Sequence, residues 1–268
     1  MAQARSAAFR ALHESGIFVI ANAWDVGSAR LLAGLGFPAI ATSSGAMANA
    51  LGRRDGQVAR EEAIAHARAL VQAVDVPVSA DLEKGFGHRP EDAAETIRDA
   101  VSVGLAGGSI EDYSGEADAP IYALAQAAER VAAAAEAARA SGFVLTARAE
   151  GLLHGSQDLE DIILRLQAYA KAGADVLFAP GLPDLESVRT VCASVSRPVN
   201  FMAGIRGKSF TVAQLGAAGV RRVSLATSLY RAAMSGMLAA AREVREQGSF
   251  EYLEHTLATG ELVQLMRS

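Results

Sequence analysis

A glycine-punctuated unit recurs along this chain and limits the folds open to it. An alanine-rich helical stretch ends at a glycine, and a short apolar run follows almost at once. The unit is clearest in LAGLGFPAIATSS, AVSVGLAGGSIED, YAKAGADVLFAP and LGAAGVRRVSLAT. A glycine at that junction suits a helix C-terminus, where the backbone turns left-handed. The run after it is apolar at successive positions, as in a strand buried on both faces. Eight such runs are present, at residues 17–21, 39–42, 76–80, 108–111, 143–147, 176–179, 199–202 and 222–225. The third and seventh open beside a proline, where a missing N–H is tolerated. Strict alternation of strand and helix predicts a parallel sheet covered by helices. Eight units in about 250 residues predict a closed (β/α)8 TIM barrel of the α/β class. The alternative is an open doubly wound sheet, but no glycine-rich dinucleotide turn follows the first strand. Gly104, Gly107 and Gly108 follow a helix instead of opening one.

Composition narrows the function classes. Of the 268 residues, 51% are hydrophobic and 21% charged, so the chain can bury a core without staples and lies outside the disordered class. No linker is visible, and one barrel domain over residues 1–268 is expected. Residues 248–268 extend beyond the eighth unit and read as an extra helix. Its Leu253, Leu257 and Leu262 exceed what a barrel needs, so the segment could pack on the barrel or reach a neighbouring subunit of a homo-oligomer. The one cysteine, Cys192, rules out an intrachain disulfide and fits a reducing cytoplasm. It falls in the helical stretch 184–195 and reads as a small buried hydrophobe, not a nucleophile. A net charge of −5 without a basic stripe argues against nucleic acid as a partner. No apolar run reaches the roughly 18 residues that span a bilayer, so no membrane role is expected. Residues 1–16 read as an amphipathic helix without the features of a signal peptide.

In such barrels chemistry gathers at the C-terminal strand ends. The first strand is followed by Asn22, Trp24 and Asp25, and the second by Ser43, Ser44, Gly45 and Ala46. Asp81 and Glu83 end the third, Glu111 and Asp112 the fourth, and Arg148 and Glu150 the fifth. The seventh offers Asn200. Asp81, Glu83 and Glu111 would converge, because strands three and four are neighbours. Buried carboxylates need a counter-charge. Oxygen donors without clustered His or Cys favour Mg²⁺, or Mn²⁺, over zinc; the other reading pairs the same acids with Arg148 and Lys84. A cation beside Arg148 suits an anionic substrate, since a guanidinium can grip a carboxylate bidentately. Backbone N–H groups of Ser44, Gly45 and Ala46 could meet another carboxylate. His13, His66 and His255 fall in helical patterns and are expected at the surface. His88 and His154 follow strands three and five and could border the pocket.

NAWDVGSARLL, ATSSGAMA, ADLEKGFG, SIED and TARAEGLLHG, in this order, resemble the isocitrate lyase/phosphoenolpyruvate mutase superfamily over residues 9–234. The resemblance implies a Mg²⁺-dependent (β/α)8 barrel that forms or breaks C–C or P–C bonds beside a 2-oxo or 2-hydroxy acid, through a pyruvate-like enolate. It also implies a tetramer that exchanges a C-terminal helix. By position, Asp81 would be the direct metal ligand, and Glu83 and Glu111 would hold metal-bound waters. Ser44, Gly45 and Ala46 would bind the substrate carboxylate, with Ser43 and Trp24 nearby. Arg148 would contact substrate oxygens, and Asp55 would ride on a mobile loop, 49–58, that approaches the metal.

The departures shape the functional reading. Isocitrate and methylisocitrate lyases carry Lys-Lys/Arg-Cys-Gly-His after Ile-Glu-Asp, with the Cys as catalytic acid. Here the chain reads IEDYSGEADAPIYAL, with neither Cys nor Lys, so isocitrate cleavage is not expected. The mutase loop's Lys and Asn are absent too. What remains suits a carbon–carbon lyase on a small 2-oxo or 2-hydroxy dicarboxylate, with an oxaloacetate-type substrate first. Decarboxylation needs no protein acid for the departing CO₂. A retro-aldol cleavage needs a base, for which Glu150 and His154 are candidates. The alternatives are an oxaloacetate-type hydrolase and a non-catalytic binder of 2-oxo acids.

Overall fold

In the computed structural model, which describes residues 2–266, eight parallel strands close into a barrel in chain order. They are β1 (Phe18–Ala23), β2 (Ile40–Thr42), β3 (Val78–Asp81), β4 (Gly107–Glu111), β5 (Val144–Arg148), β6 (Val176–Phe178), β7 (Val199–Met202) and β8 (Arg222–Ser224). All eight expected strands are found, with no end displaced by more than two residues. The first, third and fifth reach further toward the mouth than expected, because polar Asn22, Asp81 and Arg148 still pair in the sheet. Closure comes from β1 pairing with β8, Ile20 opposite Ser224.

The helices are α1 (Ala2–Ala11), α2 (Val26–Gly34), α3 (Ser44–Ala50), α4 (Arg60–Ala73), α5 (Pro90–Ser102), α6 (Leu124–Ala138), α7 (Leu159–Ala172), α8 (Leu185–Ser194), α9 (Val212–Ala217), α10 (Ser228–Gln247) and α11 (Thr259–Leu265). Local chemistry starts and stops them. Pro90 occupies the first turn of α5, and the Asp92 carboxylate accepts from the Arg89 N–H at 2.9 Å. Gly173 ends α7 with φ 109°, the left-handed conformation that glycine adopts without strain. Helices α5 and α6 present Ala93, Ile97, Ala100, Ala127, Val131 and Ala134 to the core, so small side chains let the layers approach closely.

The barrel floor is closed from outside by the N-terminal segment. Phe9 of α1 is fully buried and meets Phe18 edge-on at 6.4 Å. Gly107 makes room for it: a Cβ there would stand 2.7 Å from the Phe9 ring. His13 is buried with these rings, 5.0 Å from Phe18, which corrects its expected surface position. An α1 face that seals a barrel end needs only a few apolar residues, and its short pattern resembles that of a solvated helix.

The C-terminal segment is also corrected. It is not one helix: α10 ends at left-handed Gly248, a 3₁₀ turn follows at Glu251–His255, and α11 is short. Glu243 organises the break, accepting from the Ser249 hydroxyl at 2.8 Å and the Tyr252 N–H at 3.2 Å. The last two residues of the 248–268 extension lie outside the described residues. Met237, Phe250, Leu253 and Leu257 are all more than half exposed. Among the described residues no helix is long and apolar enough to cross a membrane.

Candidate active site

The mouth is organised around Arg148 at the end of β5. Its Nη1 stands 2.9 Å from Asp81 Oδ1 and 3.2 Å from Glu111 Oε2, and its Nε donates to Glu150 Oε1 at 2.8 Å. The guanidinium also lies over the Phe178 ring, 5.1 Å from its centroid. Register explains the convergence: Glu111 pairs with Arg148, and Arg148 pairs with Phe178. Arg148 thus neutralises part of the acidic set, as the ion-pair reading of these residues expects. Lys84 does not join it; its Nζ donates to the Ser114 carbonyl at 2.5 Å.

Asp81 is held from a second side. Its Oδ2 accepts from the Ser44 hydroxyl at 3.0 Å and the Ser44 N–H at 3.3 Å. Helix α3 begins here because the Ser43 hydroxyl accepts from the Ala46 N–H at 3.3 Å, an N-cap bond. Two of the three N–H groups expected to face a substrate carboxylate therefore already have partners. Gly45 lies beneath the loop between α3 and α4: a Cβ there would stand 3.0 Å from Asp55 Oδ2. That loop brings Asp55 to an outer chamber that Glu83 and Glu111 also line, with Lys84 and Tyr113 on its wall. A small inner chamber runs into the barrel and is lined by Ser43, Asp81, Arg148 and Asn200 among others. The Asp81–Arg148–Glu111 ion pairs stand between the two chambers.

Burial dominates the electrostatics. Glu83 is pushed up to about 7, first by burial and then by Asp81 and Asp55. Asp55 is raised by the same causes, burial first and then Asp81, although part of the residue faces solvent. Glu111 is raised well above the carboxylate range by burial, which outweighs the attraction of Arg148. Glu150 is raised by burial also. Five carboxylates (Asp55, Asp81, Glu83, Glu111 and Glu150) thus surround two cations, Arg148 and Lys84. Among the described residues no three His, Cys, Asp or Glu side chains converge tightly enough to ligate a metal by themselves.

Other expected residues are placed differently. The Trp24 ring packs edge-on against Tyr230 at 5.4 Å and lines neither chamber. Asn200 is fully buried; its amide donates to Ser224 Oγ at 2.9 Å and accepts from Arg222 Nε at 2.8 Å. His154 stacks on Tyr113 at 3.9 Å, behind the outer chamber. His88 is exposed and hydrogen-bonds the Tyr122 hydroxyl at 2.7 Å. Other residues support the site: Tyr169 and Arg130 escaped the sequence reading, and Asp112 reads there only as a strand-end acid. Asp112 accepts from the Glu150 N–H at 2.7 Å and the Tyr169 hydroxyl at 2.5 Å, which fixes the turn after β5. Arg130, 1% exposed, donates to the carbonyls of Lys84, Gly87 and Arg89 and so clamps the loop that carries Glu83. Glu83 itself has φ 50°, a strained conformation for a non-glycine residue that this clamp helps to hold.

The fold and this constellation define an acid-lined barrel of the phosphoenolpyruvate mutase type. The chain belongs to the phosphoenolpyruvate phosphomutase family, whose model matches residues 9–245, and it is an enzyme of the isocitrate lyase/phosphoenolpyruvate mutase superfamily. A Burkholderia cenocepacia J2315 protein, provisionally assigned as a lyase or mutase, superposes with a TM-score of 0.97 at 46% identity, over 100% of this chain and 98% of that one. The 2-methylisocitrate lyase of Escherichia coli K12 is 27% identical over 84% of this chain and 78% of its own. Oxaloacetate decarboxylase 1 of Pseudomonas putida W619 is 28% identical over 85% of this chain and 80% of its own.

Proposed function

We propose that this chain is a Mg²⁺-dependent carbon–carbon lyase acting on a small 2-oxo or 2-hydroxy dicarboxylate, with an oxaloacetate-type acid as first substrate. The observation that carries the reading is the buried excess of carboxylates at the mouth, combined with a segment after β4, YSGEADAPIYAL, that holds neither cysteine nor lysine. The donor set fits a hard divalent cation: every donor is a carboxylate oxygen, and Arg148 and Lys84 leave negative charge in excess. Asp81 would hold the ion directly, and Glu83 and Glu111 through water. When bound, the ion supplies Lewis acidity to the substrate's carboxylate and 2-oxygen.

The chain's own residues do the rest. Arg148, fixed by three carboxylates, presents a rigid positive edge that orients substrate oxygens. Asp55 and its loop cover the α3 N-terminus and exclude water while the C–C bond breaks. A departing CO₂ requires no proton from the β4 loop, so the lack of a cysteine there is no obstacle to decarboxylation. The identity to an oxaloacetate decarboxylase supports the same substrate class. The exposed apolar residues of α10 and the following segment support a homo-oligomer. The test is a panel of 2-oxo and 2-hydroxy dicarboxylates with Mg²⁺, following pyruvate, glyoxylate and CO₂. Release of pyruvate and CO₂ from oxaloacetate well above the metal-only rate is expected. Inertness toward the whole panel would overturn the reading.

A further inference from the structure

Arg222 is a buried cation whose partners are all neutral. It stands on β8 inside the barrel and is 5% exposed. Its Nε donates to Asn200 Oδ1 at 2.8 Å, its Nη2 donates to Thr146 Oγ1 at 3.0 Å, and its Nη1 lies 3.4 Å from His13 Nε2. His13 Nδ1 is 2.8 Å from the Phe9 carbonyl, so it carries the proton and leaves Nε2 to accept. Among the described residues no carboxylate forms an ion pair with Arg222, whereas Arg148 has three. Burial, and then the charge of Arg148, pull Arg222 down to about 9, which still leaves it charged at neutral pH. A buried charge without a counter-ion is unfavourable, and its retention calls for something that offsets it.

The cavity supplies the second observation. Barrel interiors are usually filled by layers of branched apolar side chains. Here Ser79, Ser109, Thr146, Asn200, Arg222 and Ser224 line the inner chamber beside apolar Ile20, Phe178 and Met202. The short side chains of Ser79, Ser109 and Ser224 leave space in the chamber that Arg222 and Arg148 both line. Three contacts leave Arg222 with N–H donors to spare, since a guanidinium carries five.

We propose that the inner chamber is a receptor for one small monoanion of carboxylate size, with Arg222 as its counter-charge. The anion has two possible sources. One is a carboxylate of the bound substrate, which rests on the dicarboxylate reading above and makes Arg222 a specificity residue for the acid's second charge. The other is a free monoanion such as formate or chloride drawn from solution.

The test uses the full chain and needs no turnover. Sodium formate or sodium chloride is titrated at constant ionic strength while the ¹⁵N-arginine Nε–H resonance of Arg222 is followed. That resonance is identified by its loss in Arg222→Lys and Arg222→Met. Saturable movement of the resonance is expected, with a rise in Tm of a few degrees that Arg222→Met lacks. Malonate with Mg²⁺ then separates the sources: displacement of formate assigns the site to a substrate carboxylate, and joint binding assigns it to a free anion. A resonance unmoved by every anion overturns the proposal, as does an equal Tm response in wild type and Arg222→Met. Should Arg222→Met fail to fold, the wild-type titration, assigned through Arg222→Lys, still decides. Lack of lyase activity would not affect this readout, so the two proposals fail separately.

Discussion

The Asp55 carboxylate rests on Gly45: a Cβ added there would stand 3.0 Å from Asp55 Oδ2 and 3.3 Å from Thr227 Cγ2. The glycine is what lets the loop after α3 close onto the mouth. Gly45→Ala should prop the loop open, and Asp55→Ala should remove its contact. Each is expected to lower kcat/KM by roughly tenfold to a thousandfold, about 1.4–4 kcal/mol of barrier. Asp55 lies on an exposed loop, so Asp55→Ala should leave Tm nearly unchanged. Wild-type kinetics in both variants would remove the loop from the mechanism.

Metal dependence should appear in stability as well as in rate. A cation that binds only the folded chain stabilises it, by about 2.7 kcal/mol at a hundred times its Kd. Mg²⁺ should therefore raise Tm, and EDTA should abolish turnover until Mg²⁺ or Mn²⁺ is restored. In Asp81→Ala both responses should vanish, since Asp81 is the proposed direct ligand. A full rate in metal-free protein would contradict the assignment.

Cys192 should be dispensable. It lies within α8, only partly buried, and a Cβ on Gly219 would stand 2.9 Å from its own Cβ. Burial pushes its thiol up to about 11, so little thiolate exists at neutral pH. Cys192→Ser should retain most activity and lose only a modest part of its stability. A large fall in kcat at unchanged Tm would show that the thiol has a role at the mouth.

The C-terminal segment should control assembly. Phe250 at 58% and Leu253 and Leu257 at 54% exposure form an apolar surface that a solvated tail would not keep. Light scattering on the full chain should report a dimer or tetramer, and removing residues 249–268 should lower that mass or cause aggregation. A full-length monomer at micromolar concentration would refute the oligomer.

The sequence revealed the site where its residues sit at strand ends. Asp81, Glu111 and Arg148 follow from counting strands, because each ends an apolar run and barrel closure brings neighbouring ends together. The clamp by Arg130 was not legible. It joins a helix to a loop more than 40 residues away, and no periodicity marks such a contact. Arg222 was hidden for a related reason. It falls within the eighth expected run, 222–225, but in a strand buried on both faces the sequence does not tell which side chain turns into the barrel. The extension from Gly248 reads as one helix because Leu253, Leu257 and Leu262 recur at near-helical spacing, whereas the backbone forms a 3₁₀ turn at Glu251–His255 and then the short α11.

His13 supplies a pH dependence that can be isolated. The ring is buried, flanked by Phe9 and Phe18, and it faces the cations Arg222 and Arg10. Burial first, then Arg222, lower its pKa from 6.5 to about 3. The folded chain therefore keeps His13 neutral in a range where the unfolded chain protonates it. Above pH 6.5 both states are neutral and His13 adds no slope. As pH falls from 6.5 toward 3 the unfolded state binds the extra proton, and stability is lost at a limiting slope of about 1.4 kcal/mol per pH unit. Below about 3 both states are protonated and the loss levels off. Carboxylates titrate here too, Glu83 near the top of the window, so the comparison is with His13→Gln, which cannot take up the proton. Urea denaturation between pH 7 and 5 should show wild-type stability falling more steeply than that of the variant. Parallel curves for the two proteins would mean that His13 is protonated in the folded chain, against its burial beside Arg222.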